Sequence, residues 1–345
     1  MQKYESKSKI NPIAPLISGI VDIRNWFYDK EYIKPTRLKI PVISVGNLTM
    51  GGTGKTPFIQ WLIYELELMG YRPGVVSRNY RGSSKVSEWV HTAPASYLEF
   101  GDEAVLLKLK NPTIPILSGP KKWASALKME KETNEVNVIL IDDGFQHRRL
   151  HRDLEIVLLD TSVTPSDYNW PPFGRARESF KSLNRSDVII FTRWEQRNEK
   201  TMEVLKLTSS IRKIELQAEQ SSDTIQWILG KPILNSEIFK KGIGLAFCGL
   251  GNPNSFLKTT ELQGLKIGEF LKFEDHTSYD SSKIKRLIEA GRKFDYLVTS
   301  EKDMVKLQEW PFQGPSLCVI PMKLKVNGTL EAFREKLARS LWTNS

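Results

Sequence analysis

Short apolar runs and helix-periodic stretches alternate along most of this chain. The apolar runs are IPVISV from Ile40, PGVVSR from Pro73, TIPILSG from Thr113, VNVILIDD from Val136, DLEIVLLD from Asp153 and DVIIFTR from Asp187. Apolar on both faces and rich in Val and Ile, they predict buried strands of a mostly parallel sheet. Between them FIQWLIYELELM after Pro57, DEAVLLKLK after Gly101 and WASALKMEKE after Lys122 have helical spacing. Strand alternating with helix predicts an α/β, doubly wound architecture. From about Ile211 the pattern loosens, and KIELQ and IQWIL predict two short connecting strands. A second alternation starts with GIGLAFCGL at Gly242. It continues through the helix SSKIKRLIEAGRKF, capped by Ser281 or Ser282, then DYLVTSEKDMVKL, a last strand SLCVIPMKL and a final helix LEAFREKLARSLW. This predicts a second, smaller α/β domain.

The junction between IPVISV and the helix after it reads GNLTMGGTGKTP. Strand, glycine loop and helix in that order form a phosphate-binding unit, as in phosphate-loop NTPases. Gly51, Gly52, Thr53 and Gly54 let successive backbone N–H groups point at phosphate oxygens, and the helix N-terminus adds its partial positive charge. Lys55 is placed to reach the outer phosphates, and the Thr56 hydroxyl to ligate a magnesium ion. The usual first glycine of such a loop is replaced by Thr49. Two carboxylates, Asp142 and Asp143, end a buried strand, where an acid holds magnesium in phosphate-loop enzymes. Two aspartates before Gly144 also suit a plain turn.

Composition narrows the setting. The chain has 345 residues, 40% hydrophobic and 26% charged, which suits a globular protein of two domains. Two cysteines, Cys248 and Cys318, without metal spacing, give no disulfide framework. A net charge of +10 calls for an acidic partner, and nucleic acid, an anionic membrane or a phosphorylated substrate would each satisfy it. No recognisable nucleic-acid module accompanies the charge, so no nucleic-acid partner is expected. Residues 12–28, PIAPLISGIVDIRNWFY, repeat apolar residues at Leu16, Ile20, Ile23 and Phe27. That spacing fits a helix lying in a membrane interface, and equally one packed on its own protein. Asp102 and Glu103 open a predicted helix, where acids are ordinary caps. Asp275, His276 and Asp280 precede another.

The ordered set VGNLTMGGTGKTP, GDEAVLLK, DDGFQHRRLHRDLEI, FEDHTSYD and TSEKDMVKL resembles the tetraacyldisaccharide 4'-kinase family, the lipid A 4'-kinases of Gram-negative bacteria. The motifs run from about residue 40 to 307 in family order. The resemblance implies transfer of the γ-phosphoryl of ATP, with Mg2+, to the 4'-hydroxyl of a tetraacylated disaccharide 1-phosphate. It implies that Asp102 is the base and that His276 pairs with it, with Lys55 on the phosphates. PLISGIVDIRNWFY resembles the family's membrane-associating segment, which implies a peripheral protein on the cytoplasmic face of the inner membrane. No protein partner is expected. The expected division is 1–35 membrane-associating helix, 36–210 phosphate-loop kinase domain, 211–240 connecting strands and 241–345 C-terminal domain.

The chain departs from the family pattern in three places. Ser77-Arg78-Asn79-Tyr80-Arg81-Gly82 stands for SRGYGG, Gly174-Arg175-Ala176-Arg177-Glu178 for GPLRE, and His276-Thr277 for a histidine pair. His147 and Arg177 are expected substrate contacts. The competing expectation is a nucleotide-switch ATPase that binds a membrane or a partner. Such proteins carry a lysine where this chain has Met50 and lack neighbourhoods like those of Asp102 and His276. A GTPase would need N-K-x-D, which Glu301-Lys302-Asp303 does not supply.

Overall fold

A computed structural model describes residues 13–79, 82–93, 96–208, 213–222, 226–229, 241–307 and 316–342. The six apolar runs of the first alternation all form strands: β1 Val42–Asn47, β2 Pro73–Ser77, β4 Ile116–Ser118, β5 Val138–Asp142, β6 Leu154–Asp160 and β7 Val188–Thr192. With β3 Glu88–Trp89, β8 Ile214–Ser222 and β14 Met322–Gly328 they make a nine-stranded sheet, ordered β14-β8-β7-β6-β1-β5-β2-β4-β3. All neighbours are parallel except the two edge pairs, β14 with β8 and β3 with β4. Both faces are covered. Phe58, Ile59, Leu62 and Leu66 of helix α2, Lys55–Leu68, fill one side, and Phe145, Leu183, Met129 and Ala126 lie in clusters on the other. Strand β1 runs between β5 and β6, so the chain order reverses there and opens a crevice at the strands' carboxyl ends.

The second unit is a five-stranded sheet, ordered β11-β10-β12-β13-β9. Its strands are β9 Gln226–Leu229, β10 Ile243–Cys248, β11 Lys266–Lys272, β12 Tyr296–Ser300 and β13 Leu317–Ile320. Only β9 runs antiparallel, against β13.

The structure corrects several expectations. The stretch read as two connecting strands is divided: β8 joins the large sheet and β9 the small one, while Asp223, Thr224 and Ile225 lie outside the described residues. SLCVIPMKL is two strands that part at Pro321, and the second returns to the large sheet as β14. The final helix, Leu330–Trp342, buries Phe333, Leu337 and Leu341 in the core shared with α2. The expected C-terminal domain of 241–345 is therefore not one continuous body, because β14 pairs with β8 and the final helix buries its apolar face in the first unit's core. The helix Ser281–Gly291 is capped by Asp280, whose side chain accepts from the Lys283 N–H, rather than by either serine. A carboxylate there also answers the helix dipole. Strand β11 and the helix Pro253–Leu262 were not anticipated. β11 is an edge strand with mostly exposed side chains, so it carries no two-faced apolar run.

Candidate active site

The phosphate loop leaves β1 at Asn47, whose side-chain amide donates to Thr49 O at 2.7 Å and to Thr53 Oγ1 at 3.0 Å. Gly54 caps α2 at φ 85°, a left-handed conformation that glycine adopts without strain, and Lys55 opens the helix. Thr49, the substituted glycine, is buried and bridges Ala176. Backbone bonds from Met50 N to Arg175 O and from Arg177 N to Leu48 O fasten the loop to that segment. The second unit closes over it. A Cβ on Gly251 would come within 3.0 Å of Gly52 N and of Asp275 Oδ2, so only glycine fits this contact without displacing the loop.

Asp142 and Asp143 stand at the end of β5 and differ sharply. Asp143 lies at φ 51° and carries the Arg177 guanidinium at 2.9 and 3.0 Å, with Lys55 Nζ at 3.3 Å. Burial would raise its pKa, but Lys55, Lys122 and Arg177 outweigh that and hold it far below the usual carboxylate range. Asp142 accepts from Ser77 Oγ at 3.0 Å, while its Oδ1 is buried without a partner. Burial and the Glu103 carboxylate push its pKa up to about 6. Lys122, which the sequence reading leaves just outside a helix, opens that helix, is buried and donates to Asp143 O at 2.5 Å.

Asp102 and His276, 174 residues apart in the chain, are in contact. His276 Nδ1 is 3.0 and 3.1 Å from the two Asp102 oxygens, and its Nε2 is 3.2 Å from Lys302 Nζ. An ammonium only donates, so the arrangement that satisfies both neighbours has Nε2 accepting from Lys302 and Nδ1–H donating to Asp102. His276 holds a left-handed φ of 58°. Burial would raise the Asp102 pKa, but Lys302, His276 and Lys306 prevail and keep it ionised. Asp102 is not only a helix-opening acid, since its carboxylate is bound by residues of the second unit.

Two cavities meet in this cleft. One, of about 140 Å³, runs along Gly52 to Pro57 and against Leu250, Phe256 and Ile320 of the second unit. The other, of about 570 Å³, is walled by Asp142, Asp143, His147, Arg177 and His276 and reaches Arg24 of the N-terminal helix. Asp102 lies behind His276 and lines neither. Of the predicted residues, Lys55, Asp143 and Arg177 share one ion cluster, and His147 faces the same cavity. Glu103, Lys302 and Lys122 were not singled out from sequence. Glu103 has an ordinary helix-opening explanation and Lys302 enters the sequence reading only as part of a mismatch to N-K-x-D, and only the fold brings them face to face, with Lys302 Nζ 3.1 Å from Glu103 Oε1.

The N-terminal helix α1, Ile13–Asp29, docks beside the larger cavity. Asn25 is buried and donates to Glu178 Oε2 at 2.8 Å. Arg148 donates to Asn25 O at 2.9 Å and lies 5.0 Å over the Tyr28 ring. Its other side leaves Leu16, Ile20 and Ile23 each more than half exposed. Tyr80 and Arg81 of the departure at Ser77–Gly82 lie outside the described residues.

A model of the family described as tetraacyldisaccharide-1-P 4'-kinase matches residues 7–341. The chain belongs to that family. It is 34% identical over 308 residues to a tetraacyldisaccharide 4'-kinase of Bdellovibrio bacteriovorus, covering 88% of this chain and 90% of that one. Against the same enzyme from Syntrophus aciditrophicus it is 36% identical over 337 residues, covering 89% and 86%. The crystal structure of LpxK from Aquifex aeolicus in complex with ATP superposes with a TM-score of 0.73 at 28% identity, over 96% of this chain and 98% of that one. This tetraacyldisaccharide 4'-kinase family member thus has the expected doubly wound, phosphate-loop architecture with a second, smaller α/β unit.

Proposed function

We propose that this kinase uses ATP and Mg2+ to phosphorylate the 4'-hydroxyl of a tetraacyldisaccharide 1-phosphate in lipid A synthesis. The observation that carries the reading is the cleft itself, where the phosphate loop and the Asp102–His276 contact meet across two units. Lys55 and the loop N–H groups hold the nucleotide phosphates. Asp102 is the proposed base acting through His276: the imidazole borders the acceptor cavity and stands between the hydroxyl and the carboxylate, so the two act as one proton-accepting unit. His147 and Arg177 border the acceptor cavity and contact the sugar or its phosphate.

Mg2+ fits the donors present. Asp142 keeps a buried carboxylate oxygen without a partner, and the Thr56 hydroxyl follows the phosphate-loop lysine. Asp143, already bound by Arg177 and close to Lys55, is the weaker ligand of the pair. Among the described residues no group of three or more His, Cys, Asp or Glu is arranged to hold a metal alone. The ion would therefore share its ligands with the nucleotide phosphates, whose negative charge it neutralises. The exposed face of α1 supports peripheral attachment to the cytoplasmic face of the inner membrane. No helix among the described residues is long and apolar enough to cross it.

The test supplies labelled ATP, Mg2+ and a tetraacyl disaccharide 1-phosphate in mixed micelles. Label should appear on the lipid as a second phosphate. ATP hydrolysis that proceeds without lipid labelling would favour the switch ATPase instead.

A further inference from the structure

The two cavities of the cleft share a short stretch of wall made by Gly52, Lys55, Glu103 and Lys302. A phosphoryl group passing from a nucleotide in one to a hydroxyl in the other must cross that wall. Gly52, Lys55 and Glu103 belong to the first unit, and Lys302 alone of the four comes from the second. From this position we infer that Lys302 is a further catalytic residue, a cation that the second unit sets against the phosphoryl group in transit. The inference rests on the kinase reading above and adds to it a second cation beside Lys55, supplied by the other unit.

The backbone beneath Lys302 is held as a catalytic group requires. Ser300 caps the short helix Glu301–Met304, accepting from Asp303 N at 3.1 Å and donating to Asp303 Oδ2 at 2.6 Å. Asp303 is fully buried, accepts from Gly249 N and from Tyr279 OH, and has Lys306 Nζ at 3.0 Å. That network fixes the turn on which Lys302 stands. Its ammonium is 3.1 Å from Glu103, 3.2 Å from His276 Nε2 and 3.8 Å from Asp275. Burial opposes its charge, but Glu103, Asp102 and Asp275 outweigh that and raise its pKa above the ordinary lysine value. The ammonium is thus charged, desolvated and placed before any phosphate arrives, which is the condition for strong electrostatic catalysis.

In the step itself the acceptor oxygen bonds to the γ-phosphorus as the bond to the β,γ-bridging oxygen breaks. ADP leaves with that electron pair, and the hydroxyl proton goes to the Asp102–His276 unit. Lys302 neither gains nor loses a proton. It exchanges its contact with His276 Nε2 for one with the phosphoryl oxygens, where negative charge spreads during transfer.

The experiment compares the full chain with Lys302→Met, Lys302→Gln and Lys302→Arg, each checked by thermal melting and by ADP binding. The neutral variants should lose about 100- to 1,000-fold in kcat, with a much smaller change in ATP affinity. They should lose affinity for ADP with aluminium fluoride, a mimic of the phosphoryl in transit, in step with kcat. Lys302→Arg should recover part of both. A lysine that only clamps the two units predicts a lower melting temperature with kcat per folded molecule and metallofluoride binding unchanged, and that result overturns the inference. Equal losses for ATP and for the metallofluoride complex overturn it too, since they mark uniform binding. If the unaltered chain itself labels no lipid, the kinase reading falls and this one with it. Normal transfer in the unaltered chain and in Lys302→Met overturns Lys302 alone.

Discussion

Asp142 and Asp143 are chemically identical neighbours whose surroundings drive their pKa values in opposite directions. Cations crowd Asp143, whereas Asp142 faces Glu103 with one oxygen unpartnered. Replacing Lys55 by Ala removes both a phosphate contact and a partner of Asp143. Turnover should fall by about 100-fold or more, with melting little changed. Near-normal turnover would falsify the phosphate-loop assignment. Lys122 offers a pH test. Burial first, and then Lys55 and Arg78, lower its pKa to about 8 against the pull of Asp143 and Asp142. The unfolded chain holds that proton up to the ordinary lysine value, so between the two pKa values it binds more protons than the folded chain. Stability should therefore rise with pH across that window, with the full penalty present below pH 8. Urea titrations at several pH values should show a flatter slope for Lys122→Met. At this scale the sequence was legible wherever a residue sat in a local motif. Lys55 and Thr56 are singled out by strand–loop–helix order, the aspartate pair by its place at the end of another buried strand, and the Asp102–His276 contact followed from the resemblance. Glu103, Lys302 and Lys122 did not, because their roles exist only through partners far along the chain.

Among the elements, α1 is the one whose two faces do different things. Its polar side is fastened through Asn25 and Arg148, and its apolar side meets solvent. Burying one leucine or isoleucine in an apolar phase is worth about 1.5–3 kcal/mol. Leu16→Asp with Ile20→Asp should therefore weaken sedimentation with anionic vesicles by about 100-fold or more. The binding that remains should fall as salt rises. Unchanged sedimentation would end the interfacial-helix proposal. Glu178 accepts from Asn25, Ser182 and Arg185. Glu178→Ala takes this acceptor from the buried Asn25 and Ser182 side chains and the counter-charge from Arg185, so amide exchange across Ile13–Asp29 should accelerate and the melting temperature drop. The strands of the first sheet were readable because parallel strands, covered on both faces, are apolar throughout. The exposed edge β11 was not, for the same physical reason inverted.

Across the whole molecule, the division between units is where periodicity misled. A break at Pro321 separates β13 from β14, and nothing in SLCVIPMKL tells which sheet each half will join. The consequence is testable. Ending the chain before Met322 removes an edge strand and exposes the pocket left by Phe333, Leu337 and Leu341. It also deletes the ion pairs Arg334–Glu65 and Lys336–Asp187, at 2.8 and 3.0 Å. Three buried side chains at about 1.5–3 kcal/mol each rival the total stability of an ordinary domain, about 5–15 kcal/mol. The shortened chain should therefore be largely insoluble or unfolded by circular dichroism. A soluble, cooperatively melting product would show that β14 and its helix are dispensable.

The return of β14 also bears on how the protein is made. During synthesis β8 emerges with one edge already matched to β7, while its other edge waits until the whole second unit has left the ribosome. A nascent sheet with an open edge is a template for the wrong strand. Its polar alternation, Ile214-Glu215-Leu216-Gln217-Ala218-Glu219, puts carboxylates on that waiting strand, a form of gatekeeping for the seconds in which the second unit is still being made.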